Sequence, residues 1–146
     1  MITDELLIQA PVATVWRLTT DVESWPRLTP TTMTSVERLD AGPLRVGSTA
    51  RVKQPGQRPT VWTVQELEPE RRFVWSATVY GVTMTARHEL SEEGNGTRNR
   101  LSIEMTGRGA GLLRALVGRK ITQVIATENR CFAAEAEAET ATSPAG

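Results

Sequence analysis

The segment from Gly107 to Glu139 constrains the fold of this chain more than any other. Three glycines within its first five positions are followed by residues 112–139, which contain no proline and many strong helix formers. At about 100° per residue, one side of the predicted helix carries apolar side chains. These are Leu113, Val117, Ile121, Val124, Cys131 and Phe132. The sequence therefore predicts a long amphipathic helix whose apolar face must be covered by the chain before it.

The chain before that helix is predicted to be mainly antiparallel β-sheet. Apolar alternation indicates strands near residues 2–9, 31–39, 48–54, 60–67, 72–80, 83–91 and 97–106. Pro11 and Asp21 mark the starts of two short helices after the first strand. Turn signals at Pro55-Gly56, Gly81 and Gly94-Asn95-Gly96 predict short connections, which join antiparallel neighbours. The predicted fold class is α+β, with one domain over residues 1–139 and a frayed tail over residues 140–146.

Composition disfavours several classes of function. The chain carries 17 basic and 17 acidic side chains without a basic run, which argues against nucleic-acid binding. One cysteine and one histidine cannot supply an internal disulfide or the usual zinc site, and no metal or cofactor is expected. No Gly-rich phosphate loop and no Gly-x-Ser-x-Gly elbow occurs. No apolar run approaches the length of a membrane span, so we expect a cytoplasmic protein without integral membrane contact.

Several short pieces of the sequence resemble a known superfamily. They are Ile8-x-Ala10-Pro11 with Val15-Trp16, Asp21 and Trp25-Pro26, then Gly47, His88-x-Leu90 and Gly96-Thr97. Their order resembles the START-related helix-grip (SRPBCC) superfamily, and within it the bacterial polyketide cyclase/dehydrase and coenzyme-Q-binding-like group. The resemblance spans nearly the whole chain. It implies a helix-grip fold, in which a curved seven-stranded antiparallel sheet wraps around the long C-terminal helix and encloses an apolar cavity.

Strand alternation sorts the side chains that would line such a cavity. Trp62, Trp75, Met84 and Met105 lie in the inward phases of their strands. Aromatic and methionine side chains in such positions are typical of an ordinary core, but they also make adaptable ligand contacts. The sequence leaves both interpretations open.

His88 is the only histidine, and it lies on an otherwise apolar strand face. A buried imidazole needs a hydrogen-bond partner, so His88 is either a structural histidine or a group that contacts a ligand. With an ordinary pKa near 6.5, it is also the residue best suited to moving protons at neutral pH.

The long helix contributes Val117, Ile121 and Val124 to the predicted lining. Glu128 continues the same helical register, where an ionised carboxylate is costly to bury without a partner. It marks either the point where the helix runs past the sheet into solvent, or a polar spot in the cavity. In the second case it would meet His88, an arginine or a ligand group.

Two functions follow from these features. The first is binding of a small or medium hydrophobic organic molecule (a lipid, a quinone or a polyketide-like compound) by a carrier or sensor. The alternative is a polyketide cyclase/dehydratase-type enzyme in which His88 is the general acid or base. The sequence favours the carrier because it offers one credible acid/base residue. A protein–protein module is disfavoured because the sequence shows no exposed basic or aromatic patch, and a homodimer is left open.

Overall fold

The computed structural model describes residues 1–142 and contains one seven-stranded antiparallel sheet. Its strands are β1 Ile2–Ile8, β2 Ser35–Arg38, β3 Thr49–Lys53, β4 Thr60–Glu68, β5 Arg72–Val79, β6 Val82–Glu93 and β7 Gly96–Gly107. Their order across the sheet is β1-β7-β6-β5-β4-β3-β2, so every connection from β2 to β7 joins neighbouring strands. The predicted α+β helix-grip fold is confirmed.

Two short helices follow β1, as predicted. Helix α1 spans Val12–Thr20 and begins directly after Pro11. A 3-10 turn at Val22–Ser24 leads into helix α2, Trp25–Leu28. Pro26 lies in the first turn of α2, where a proline costs no backbone hydrogen bond.

The second strand is shorter than predicted. Residues 31–34 were expected to belong to it, yet β2 starts only at Ser35. The backbone N–H groups of Thr32 and Met33 both donate to the carbonyl oxygen of Thr29, and the Thr29 and Thr32 hydroxyls lie 2.6 Å apart. These local bonds form a turn that competes with strand pairing, as Ser and Thr side chains commonly do.

The central strands turn the predicted side chains toward the same face. Opposite partners across β5, β6 and β7 are Phe73, His88 and Leu101, then Trp75, Ala86 and Ile103, then Ala77, Met84 and Met105. Side chains that are directly opposite share one face of a sheet. This face packs against the long C-terminal helix, α3, which spans Ala110–Thr142.

Helix α3 covers the sheet unevenly along its length. Its buried side chains all lie from the middle of the helix onward, and they are Ile125, Glu128, Asn129, Phe132, Ala133 and Ala136. Of the six side chains in the predicted apolar stripe, only Phe132 is buried and the other five are partly exposed. The helix also continues past residue 139 to Thr142, and the last part of the predicted tail, residues 143–146, lies outside the described residues.

Candidate functional site

An aromatic cluster fills the space between the sheet and the second half of α3. Trp25 from α2 lies edge-on to Phe73, Trp75 and Phe132, with ring centroids 6.3, 5.2 and 5.7 Å away. All four rings are at most 3% exposed. Edge-on aromatic pairs add about 0.5–1.5 kcal/mol each beyond the area they bury. This half of the interior is therefore a solid core.

The space beside the first half of α3 is open by comparison. Met84 and Met105 are opposite partners on the inward face, near the ends of β6 and β7 that adjoin α3, yet both are only partly buried. Across from them, Val117, Ile121 and Val124 of α3 are also partly exposed. We call this region the cleft. Because inward-facing apolar side chains stay accessible here, a molecule of suitable shape has apolar surface to cover.

The two predicted tryptophans belong to the solid core, and Trp75 lies one same-face position along β5 from Ala77, the cross-strand partner of Met84. Trp62 on β4 is 8% exposed and Trp75 on β5 is 3% exposed, with their ring centroids 5.6 Å apart. Two depressions elsewhere on the described surface have charged linings, one including Arg72 and Glu89 and the other Glu92. Neither depression includes a predicted lining residue, so the enclosed cavity that the resemblance implies stays a prediction.

His88 lies inside the aromatic cluster rather than on the cleft. Its ring centroid is 5.3 Å from that of Trp25, 5.6 Å from Phe73 and 6.1 Å from Phe132. Its Nδ1 atom is fully buried and has no hydrogen-bond partner in the described chain. Burial away from water lowers the pKa of His88 from 6.5 to about 4. At neutral pH the imidazole is therefore uncharged and a weak base.

Glu128 is buried, with 6% exposure, and so does not mark an exit of the helix into solvent. It lies one turn beyond Val124 on the same face of α3, and its side chain hydrogen-bonds to that of Thr32. The Thr32 hydroxyl in turn meets that of Thr29. Burial raises the pKa of Glu128 from 4.5 to about 7, and the Thr32 hydrogen bond only partly opposes this. No ion pair or hydrogen bond joins Glu128 to His88 in the part of the chain that the structure describes.

A buried amide network that the sequence reasoning missed fixes α3 against the sheet. The Asn129 amide nitrogen donates to the Asp4 carboxylate over 2.9 Å and to the Asn99 carbonyl over 3.2 Å. The Asn99 side-chain amide donates back to the Asn129 side-chain oxygen over 3.0 Å. Asn129 comes directly after Glu128, so the network sets the rotation of α3 that turns Glu128 inward. The only sequence signal was an asparagine inside a helix, which is uncommon without a side-chain partner.

The described chain shows no group of three or more His, Cys, Asp or Glu side chains arranged to hold a metal ion. Among the helices of residues 1–142, none is both long and apolar enough to cross a membrane.

Comparison with known proteins identifies the family. Residues 2–137 match the family described as polyketide cyclase/dehydrase and lipid transport, which is most of the chain. The chain belongs to the polyketide cyclase/dehydrase and lipid transport family. No curated protein matches it in sequence.

Solved structures share the fold of this family member at low sequence identity. A protein from Thermus thermophilus, TTHA0849, superposes with a TM-score of 0.70 at 21% identity, covering 97% of this chain and 99% of that one. The Zhui aromatase/cyclase from Streptomyces sp. R1128 gives 0.65 at 20% identity, over 89% and 92%. The di-domain aromatase/cyclase StfQ of the steffimycin biosynthetic pathway gives 0.78 at 13% identity, over 96% of this chain and 51% of that one. At these identities the likeness is one of fold.

Proposed function

We propose that this protein binds one small or medium apolar organic molecule, such as a lipid, a quinone or a polyketide-like compound, in the cleft and acts as a carrier or sensor. One observation carries the proposal: Met84 and Met105 lie on the inward face of the sheet, near the ends of β6 and β7 that adjoin α3, and yet remain partly exposed. Apolar side chains in such positions are normally buried by the element they face. A bound apolar molecule would complete that burial.

The chemistry of the cleft suits a variable apolar ligand with one polar group. Methionine side chains are unbranched and polarisable, so they adapt to ligands of different shape. Val117, Ile121 and Val124 supply an aliphatic wall. Glu128 at the deep end of that wall is partly protonated at neutral pH, and a protonated carboxyl can donate a hydrogen bond to a carbonyl or hydroxyl oxygen. A site of this kind is mostly apolar with a single orienting polar group.

The alternative, a cyclase or dehydratase, needs a group that exchanges protons near neutral pH. His88 was the expected candidate, but a pKa of about 4 leaves it a poor general base and almost never an acid at pH 7. Glu128, with its pKa near 7, is better matched to that chemistry. This single observation keeps the enzyme as the second candidate, with Glu128 in the role first given to His88.

A titration with the fluorescent apolar probe anilinonaphthalene sulfonate tests the binding proposal. We expect binding of one probe per chain, with quenching of the tryptophan emission of the native protein, because Trp75 lies next to the Ala77–Met84 pair on the inward face. Native mass spectrometry of the purified protein should show a copurifying apolar molecule in the same stoichiometry.

A pair of variants locates the binding. Val124→Trp puts a large side chain into the cleft and should weaken the probe at least about tenfold, since even one methylene of misfit in a pocket costs about 1–3 kcal/mol. Ala134→Trp places the same side chain on the exposed side of α3 and should leave affinity unchanged. Equal effects of the two substitutions, or probe binding only to partly denatured protein, would count against the cleft. A substrate turned over by wild type but not by Glu128→Gln would favour the enzyme instead.

A further inference from the structure

One end of the sheet gathers unpaired positive charge. Here lie the β3–β4 loop, the β5–β6 turn and the start of α3, brought together because β4, β5, β6 and β7 are sequential antiparallel neighbours. The basic side chains at this end are Lys53, Arg58, Arg108, Arg114, Arg119 and Lys120. None of the six forms an ion pair in the described chain, whereas nine other basic side chains do. We call these six residues and their surroundings the basic end.

Acidic side chains are missing from the same region. No Asp or Glu occurs in residues 41–65, 73–88 or 105–127, which supply the loop, the turn and the first half of α3. Glu104, just before the last of these segments, is already paired with Arg87 over 3.0 Å. The chain is neutral as a whole, so the acidic side chains lie toward the other parts of the molecule. The fold thus brings three acid-free segments of the sequence together at one end.

Large apolar side chains are exposed among these cations. Leu112 and Leu116 are 68% and 73% exposed, and they lie one turn apart on the outer side of α3. Tyr80 is 91% exposed in the turn between β5 and β6. A Cβ on Gly107 would clash with the carbonyl oxygen of Gly81, so this turn lies directly against the junction that leads into α3. The three side chains therefore belong to the same end of the molecule.

The Tyr80 backbone is also unusual. Its φ is +51° and that of Gly81 is +78°, as in a two-residue hairpin turn with both central residues left-handed. Such a turn prefers asparagine or aspartate before the glycine, and a tyrosine there is strained. The strained backbone of Tyr80 is not offset by packing of its side chain, which is 91% exposed, so the residue is a candidate for a contact outside the chain.

We propose that the basic end docks on the surface of an anionic lipid bilayer, with Leu112, Leu116 and Tyr80 inserted among the headgroups and the cations facing anionic lipid. Exposed leucines flanked by Lys and Arg on one helix face are the pattern of interfacial helices, and tyrosine is favoured at headgroup depth. A second copy of this chain fits poorly, because a symmetric contact through this face would oppose like charges. Phosphate binding by a nucleic acid would use the cations but not the leucines.

Docking in this orientation would help an apolar molecule to pass from the bilayer into the cleft. Val117 of the cleft wall comes directly after Leu116 on α3. An apolar molecule leaving the bilayer at this point would reach the cleft with little passage through water. The docking itself does not require the cleft to be occupied, so the two proposals fail or stand separately.

Flotation of the purified full chain with vesicles tests the docking. We expect binding to vesicles of phosphatidylcholine mixed with phosphatidylserine, little binding to phosphatidylcholine alone, and loss of binding at high ionic strength. Arg119→Glu combined with Lys120→Glu should weaken binding at least about 25-fold, since each basic residue contributes about fivefold at an anionic surface. Leu112→Ser combined with Leu116→Ser should weaken it at least about tenfold.

Two control variants carry the same kinds of change at the opposite end of the sheet. Arg71→Glu reverses an exposed charge in the β4–β5 turn, and Val46→Ser removes an exposed apolar side chain in the β2–β3 loop. Both should bind vesicles like wild type, and melting temperatures should confirm that all variants are folded. Equal binding to neutral vesicles, an equal loss in the controls, or no binding at all would overturn the proposal. A homodimer in sedimentation that is lost in the leucine variant would also overturn it. The same holds if single-stranded DNA binds the protein at least as tightly as vesicles do, and the leucine variant still binds the DNA.

Discussion

The two buried ionisable groups should change the stability of the protein in opposite directions as the pH rises. His88 has its pKa lowered by burial from 6.5 to about 4, and Glu128 has its pKa raised by burial from 4.5 to about 7. Between pH 4 and 6.5, His88 is protonated in the unfolded chain but uncharged in the folded protein. Its stabilising effect is therefore complete above pH 6.5 and is lost as the pH falls toward 4. For Glu128, the folded state keeps a proton that the unfolded chain releases, so stability is lost as the pH rises from 4.5 to 7.

The expected magnitudes are similar. Each pKa change of one pH unit corresponds to about 1.4 kcal/mol, so each group contributes on the order of 3 kcal/mol across its range. In wild type the two effects largely cancel between pH 4.5 and 6.5, and the free energy of unfolding should vary little on their account. Single variants should expose each effect alone.

Urea unfolding followed by tryptophan fluorescence measures the effect. In His88→Gln, the free energy of unfolding should fall by about 3 kcal/mol relative to wild type as the pH rises from 4.5 to 7, because Glu128 titrates alone. In Glu128→Gln it should rise by about 3 kcal/mol relative to wild type between pH 4 and 6.5. Profiles of both variants that run parallel to wild type at every pH would refute the assignment of these two groups as buried and perturbed.

Two further predictions concern the parts that hold α3 in place. Asn129→Ala leaves the Asn99 amide and the Asp4 carboxylate without their partner, so it should lower the free energy of unfolding in urea by about 1–3 kcal/mol. The neighbouring exposed change Arg130→Ala should lower it by under about 0.5 kcal/mol. Similar values for the two variants would show that the network does not fix the helix. Gly107→Ala should lower the melting temperature, because φ is +104° and the new Cβ meets the Gly81 carbonyl oxygen. Gly111→Ala, in open helical space, should stabilise the protein by about 0.5–1 kcal/mol. A melting temperature of Gly107→Ala at or above that of wild type would contradict the close approach.

Sequence reasoning predicted the fold because its signals are local. Ile8, Ala10 and Trp25, which carry part of the family resemblance, are all at most 1% exposed. The Thr97 hydroxyl donates to the Ala10 carbonyl over 2.8 Å, tying the β1–α1 corner to the β6–β7 hairpin. The matching pieces are thus residues that build the scaffold. This explains why they identify the family and say little about the ligand.

The candidate site was only partly predictable because its contacts are distant in the chain. The sequence left open whether Glu128 faces the interior or marks an exit of α3 into solvent, and burial decides for the interior. Its partner Thr32 comes from a turn that was predicted as a strand. The rotation of α3 depends on Asn129 meeting Asn99 and Asp4, and helical periodicity alone does not contain that information.

The charge distribution was not predicted from the sequence, for a related reason. A net charge of zero and the lack of a basic run indicated no patch, yet the topology collects six unpaired cations at one end. The exposed basic and aromatic surface that the sequence did not show is therefore present in the fold. Spatial segregation of charge becomes visible only when the order of the strands is known.

The most direct test of the cleft uses the four methionines of the chain. With ¹³C-labelled methyl groups, addition of anilinonaphthalene sulfonate should shift the signals of Met84 and Met105 strongly, through the ring currents of the bound probe. The signal of Met1, which is 55% exposed at the chain terminus, should move little. Saturable shifts at Met84 and Met105 with one probe per chain are the result that our account predicts. Bound probe with unshifted Met84 and Met105 signals would contradict it.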